Sequence, residues 1–284
     1  MPDRLEITAI VDIIQTLACV AVILDAVEII FERQQYGTNG IYNYAIIKTS
    51  YRWMINGWLA PVLDILFNYP SYIYLVALQL VVAILVISHL FASFSLPLVV
   101  VLLLIHLLSH LRNHYGLDGS DQMQVILFAS LVIFYLSSDP FVKQCSLFFI
   151  SLQSLLCYFT AGFAKWRSAT WRGGTAVSDI MNTASFGSKA FARVLAQHFL
   201  LSKTLCWTVI VFECGLPLLV FAGVRPCLVF IAVGICFHLG TALFMGLNSF
   251  AWSFIATYPA ILFFSNTFQT LRVSLFTFTQ LLHH

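Results

Sequence analysis

The sequence has very little charge. Its 284 residues include 14 Lys and Arg and 12 Asp and Glu, 9% in all, against a 60% hydrophobic share and a mean hydropathy of +0.91. Soluble domains carry about 25% charged residues. So few charges cannot coat a water-soluble body of this size, which excludes a soluble enzyme, a disordered protein and a nucleic-acid binder. The net charge of +2 points to no polyanionic partner. No CxxC pair occurs among the seven cysteines, so neither a zinc knuckle nor a thioredoxin-type centre is expected. Most of these cysteines sit in apolar runs, where the residue acts as a small hydrophobe. Internal repeats and low-complexity tracts are absent as well. The first apolar stretch, about 8–31, lacks a basic leader and a small-residue cleavage site, and it carries Asp12, Asp25 and Glu28. It reads as a retained span and not as a signal peptide.

What is present is a series of long apolar runs. At about 20 residues per span, the chain accommodates seven or eight. The expected spans are about 8–31, 71–93, 95–111, 122–138, 145–166, 204–223, 226–247 and 250–265. The runs are continuous and do not alternate, which argues for helices over barrel strands. Residues 37–69, rich in Tyr and Trp and carrying Lys48 and Arg52, suit interfacial helices. Residues 167–203 form the longest polar connection, and 268–282 form an amphipathic surface piece. The expected fold is therefore an all-α polytopic transmembrane helix bundle, one integral membrane unit over 1–284, multi-pass in the cell membrane if the source is bacterial. Lys and Arg cluster on one side of this topology. Arg33, Lys48, Arg52, Arg112, Arg167, Arg172, Lys189, Arg193 and Lys203 fall on one side, and Arg4, Lys143, Arg225 and Arg272 on the other. The first group is placed inside.

Ionisable residues at membrane depth are costly and need a reason. Lys165 stands at the end of an apolar run, where an amine loses hydration and can serve as a general base or can snorkel to the interface. His106, His110 and His114 recur every four residues and share a helix face. Such a stripe could hold a metal, shuttle protons or line a polar cleft. No Glu sits between the histidines as in H-E-x-x-H, so no tightly bound metal is expected. Glu213 lies mid-span and could pair with Lys165 or donate its proton to a carbonyl. His238 faces the same choice between a role in a site and a structural hydrogen bond. Asp118-Gly119-Ser120-Asp121 reads as a turn followed by a helix N-cap.

The run YFTAGFAKWRSATWRGG at 158–174 resembles the signature of the HTTM membrane domain, which vitamin K-dependent gamma-carboxylase shares. The segment LRNHYGL at 111–117 resembles that enzyme's Asn-His segment, and Glu213 with Pro217 and FHLGTALFMGLNSFAW at 237–252 fit its later helices. The similarity covers roughly 100–265. It implies that Lys165 is the catalytic base and His114 the active-site histidine, with His110, Glu213, His238 and Trp171 as binding or supporting groups. It also implies a reduced quinone, a vitamin K-like hydroquinone, as the co-reactant. Two departures stand out: the large extra-membrane domain of the carboxylase has no counterpart here, and Ala164 replaces the lysine that precedes the carboxylase's catalytic lysine. The expected function is a membrane-embedded HTTM-type enzyme acting on a lipid-soluble or peptide substrate. The alternative is a non-catalytic membrane factor for maturation or export of a secreted peptide or toxin, working with that peptide or a partner protein. The bilayer is the one partner common to both, and no nucleic acid is expected.

Overall fold

A computed structural model describes residues 4–90, 92–113 and 117–282. Among the described residues there are helices and no strands. Helix α1 covers Arg4–Phe31. Three short helices follow: α2 (Tyr44–Ile47), α3 (Arg52–Asn56) and α4 (Ala60–Phe67). The long helices α5 (Ser71–Ile87), α6 (Ser95–Arg112), α7 (Gly119–Leu136) and α8 (Pro140–Arg167) come next. The polar connection folds as α9 (Ala169–Gly173), α10 (Ala176–Met181) and α11 (Lys189–Gln197). The chain finishes with α12 (Phe199–Leu219), α13 (Val224–Met245), α14 (Asn248–Ile255) and α15 (Tyr258–Leu282).

Six helices are long and apolar enough to cross a membrane, and a seventh span arises if α4 and α5, bent by 71° at their junction, count as one. The expected eighth span, 250–265, is divided. A turn at Ala256–Thr257 separates α14 from α15, and α15 continues through the expected break near 268 as one helix. The stretch expected at the interface, 37–69, does form short helices set against the ends of the long ones.

Each long helix packs on its neighbour in sequence, and α1 closes the ring by packing on both α5 and α14. The buried positions of α1, Ile7, Val11, Ile14, Ala18 and Val22, recur at helical spacing, while Ile13 is exposed on the opposite face. Lipid tails are as apolar as leucine, so burying leucine gives these helices no reason to associate. Close packing and interior polar bonds do. Gln124 donates to Ser253 Oγ at 2.9 Å, Tyr135 donates to Gln15 at 2.7 Å, and the Ser154 and Thr257 hydroxyls meet at 2.8 Å. Interhelical bonds of this kind contribute about 0.6 kcal/mol each. Outward positions carry large apolar side chains such as Leu78, Leu104, Leu152 and Val229.

The short α6–α7 and α7–α8 connections make these helices antiparallel, so the ends of α6 and α8 share one side of the bundle. Arg112, at the end of α6, bonds the Tyr42 and Phe67 carbonyls and so holds the interfacial helices on that side. At the other end, Lys143 lies over the Phe134 ring, and the Val224 amide donates to Gln269. Residues 33–67 and 167–203 thus lie at one end, and Lys143, Arg225 and Arg272 at the other. With the basic end inside, a cysteine placed at Ser188 is expected to react with an impermeant maleimide only after the cells are opened. Labelling from outside intact cells would reverse the orientation.

Candidate functional site

Tyr158, Gly162 and Lys165 are spaced four and three residues apart, so they line one face of α8. That face meets α12. A Cβ at Gly162 would come within 2.8 Å of both the Glu213 Cβ and the Cys214 amide nitrogen. Only a residue without a side chain lets the two helices approach this closely, and the approach brings Lys165 to Glu213. The Lys165 ammonium donates to both carboxylate oxygens, at 2.6 and 2.8 Å. Glu213 is buried, and Lys165 keeps partial exposure. Trp171 of α9 presents its ring 5.4 Å from the Lys165 nitrogen, within cation–π range.

The covering segment is anchored along α12. Glu213 stands 14 residues beyond Phe199, about 21 Å at the helical rise, so α12 runs well past the end of α8. Along that overhang the Ser202 hydroxyl donates to the Gly174 carbonyl at 2.7 Å, and the Trp207 indole donates to the Arg172 carbonyl at 3.3 Å. The polar connection is therefore in part a cover over the Lys165–Glu213 pair.

Two turns before Lys165, the Tyr158 hydroxyl meets His238 Nε2 at 2.7 Å and the Tyr258 hydroxyl at 2.9 Å. A Cβ at Gly234 would stand 2.2 Å from that Tyr258 hydroxyl, so glycine is required there too. His238 stacks on Phe254, and its Nδ1 is buried without a partner. The Tyr158 ring packs edge-on against Phe212, the neighbour of Glu213. On its other side Phe212 lines an open apolar groove of about 540 Å³ together with Leu200, Thr204, Trp207, Val211 and Phe230. The exposed lining is mainly apolar, with Lys203, Thr204 and Thr208 as its polar side chains.

The structure thus brings together Lys165, Glu213 and Trp171, and places His238 two helix turns away through Tyr158. His110 belongs to a different cluster, with His106 on α6 and Asp121 on α7. His114 lies outside the described residues. Asp118 is the N-cap of α7, accepting from the Ser120 amide, while Asp121 accepts from the Asp118 amide at 2.9 Å to complete a capping box. Tyr158 and Tyr258 were not singled out in the sequence. The signal that could have found Tyr158 is its spacing from Gly162 and Lys165. Tyr258 gives none, because its contact is set by the turn at Ala256–Thr257. Comparison with protein-family models, with curated proteins and with solved structures finds no match to this chain, so the chemistry of the site rests on its own residues.

Proposed function

We propose that the protein is a membrane-embedded, quinone-linked enzyme in which Lys165 is the base, as the resemblance to the HTTM domain implies, and in which Glu213, a supporting group in that resemblance, takes the part of its proton partner. The observation that carries this reading is the Lys165–Glu213 pair, covered by Trp171 and backed by an apolar groove. In water an ammonium and a carboxylate both stay charged. In a dry site the charged pair and its neutral form, amine beside carboxylic acid, draw closer in energy, because each ion loses hydration. Glu213 can then accept the ammonium proton and leave Lys165 as a free amine. Trp171 shields one side of that amine from water, and the Tyr158–His238–Tyr258 cluster holds hydroxyl protons near the groove wall. A hydroquinone bound in the groove would supply reducing equivalents for oxygen chemistry. Trp207, Phe212 and Phe230 would hold its apolar body.

The purified chain in lipid nanodiscs, given vitamin K hydroquinone and oxygen, is expected to consume the hydroquinone. Lys165→Arg keeps the charge but does not readily deprotonate. It is expected to lower that rate at least about a hundredfold, the lower range for general acid–base catalysis. No consumption by the wild-type chain would overturn the enzyme reading. One observation favours a second reading, the non-catalytic factor for peptide maturation or export. A lysine held by both carboxylate oxygens is also a strut between α8 and α12. In that case Lys165→Arg is tolerated, and a peptide or partner protein co-purifies in mild detergent.

A further inference from the structure

We infer a divalent transition-metal site formed by His106, His110 and Asp121, independent of the Lys165 site. The ligand atoms of these three residues all lie within 4.8 Å of one another. Zinc bonds to nitrogen and carboxylate oxygen are about 2.0–2.2 Å long, so donors around a tetrahedral ion stand about 3.4 Å apart. A bound ion would draw the three side chains closer together than they stand here.

The hydrogen bonds of His110 favour a ligand role. His110 Nδ1 lies 3.3 Å from the His106 backbone carbonyl, one helical turn back. A carbonyl only accepts, so Nδ1 carries the proton and Nε2 carries the lone pair. That Nε2 is buried and has no partner. A histidine fixed through Nδ1–H to a carbonyl, with its Nε2 lone pair free, is the arrangement found in metal-binding histidines. The ring of His106 stands edge-on to that of His110, 5.1 Å between centres. Its Nδ1 is 3.4 Å from the Gln79 amide, and its Nε2 is 3.3 Å from the Asp121 carbonyl. By the same rule Nε2 donates to that carbonyl here, so His106 serves as a ligand only when a metal displaces this bond and Nδ1 takes the proton, with the Gln79 amide turned to accept it. Asp121 uses one carboxylate oxygen on the Asp118 amide, which fixes its orientation and leaves the second oxygen for a ligand bond.

Charge supports the same conclusion. Asp25, Glu28, Asp118 and Asp121 interact electrostatically in this corner of the bundle. Among the described residues the ion pairs are Lys48–Asp64 and Lys165–Glu213, and neither includes one of these carboxylates. A bound cation offsets their repulsion. Two imidazoles and one carboxylate with an open position suit zinc, and after it cobalt or iron(II). No metal is expected from the sequence, because no acidic residue stands between His106 and His110. The fold supplies the third donor from the next helix.

The test uses the full chain without an affinity tag, purified in detergent, stripped with a chelator and titrated with Zn²⁺. Elemental analysis is expected to give one zinc per chain. Titration with Co²⁺ is expected to give visible absorption bands of a site with nitrogen and oxygen donors. His110→Ala and Asp121→Asn should each weaken zinc binding at least tenfold, while His89→Ala, at an exposed histidine, should leave it unchanged. If His110→Ala fails to fold, Asp121→Asn decides, since asparagine retains a capping acceptor. Lys165→Arg should bind zinc normally, so failure of the quinone reading and failure of this one are separate results. Less than a tenth of an ion per folded wild-type chain, or unchanged binding in both variants, would overturn the site.

Discussion

Replacing Glu213 with glutamine is expected to cost about 3 kcal/mol of stability, the lower end of the range for removing one partner of a buried ion pair. The lower end applies because the Lys165 side chain is 22% exposed and keeps a route to water, whereas that of Glu213 is only 5% exposed. The cost comes mainly from the lysine left behind. It would lose its counter-charge and one of its two acceptors, now at 2.6 and 2.8 Å, in a cleft that Trp171 partly closes. An ordinary interhelical hydrogen bond contributes about 0.6 kcal/mol, so the effect should exceed the loss of any single neutral bond in the bundle. Replacing both residues with apolar ones, Lys165→Met with Glu213→Leu, should recover most of the loss, because no charge is then stranded. Unfolding in mild detergent, followed by circular dichroism across a denaturant series, measures both variants. A change below about 0.5 kcal/mol for Glu213→Gln would mean that the pair behaves as an exposed one.

The second large effect is expected at Arg112. This side chain is fully buried, with Nε donating to the Phe67 carbonyl and Nη2 to the Tyr42 carbonyl, each at 3.0 Å. Its guanidinium rests on the Tyr72 and Tyr36 rings, at 4.1 and 5.0 Å. Burial holds the Tyr36 phenol well above its usual range, so it remains neutral and the arginine meets a ring face, not an anion. The planar fork spans two carbonyls from separate interfacial elements, which a single ammonium cannot do. Arg112→Lys should therefore cost about 2 kcal/mol, roughly one charge-assisted hydrogen bond. It should also speed proteolysis within residues 37–69 while leaving the long helices intact. Unchanged stability and unchanged cleavage together would show that the interfacial helices are held by other contacts.

The spans were legible because a long apolar run is a local property, fixed by composition over about 20 residues. Two of them differ in the structure: the run 71–93 is helical only to Ile87 and reaches span length only together with α4, and the last run is divided. Residues 250–265 are apolar throughout, and composition does not register the turn at Ala256–Thr257, which the packing of α14 between α1, α7 and α13 selects. The spacing of Tyr158, Gly162 and Lys165 was in the sequence as well, and so was the option of pairing Lys165 with Glu213. Arg112 was read as a span end on the basic side, and its position at a helix terminus gave no sign of full burial. That burial depends on Tyr42 and Phe67, which are far away in the chain.

The sequence by itself determined a helical membrane protein, its approximate spans, the basic side of its topology and the faces on which its histidines and its lysine lie. Those follow from hydropathy and from the period of a helix, which act over a few turns of chain. Tertiary structure alone decided the partners. Glycines at 162 and 234 set how closely helices approach. The hairpin between α6 and α7 brings Asp121 to His106 and His110, and the overhang of α12 lays Trp171 over the ion pair. Which polar groups share an interior is a contest among all the helices at once, because in lipid each one must find its partner inside the protein.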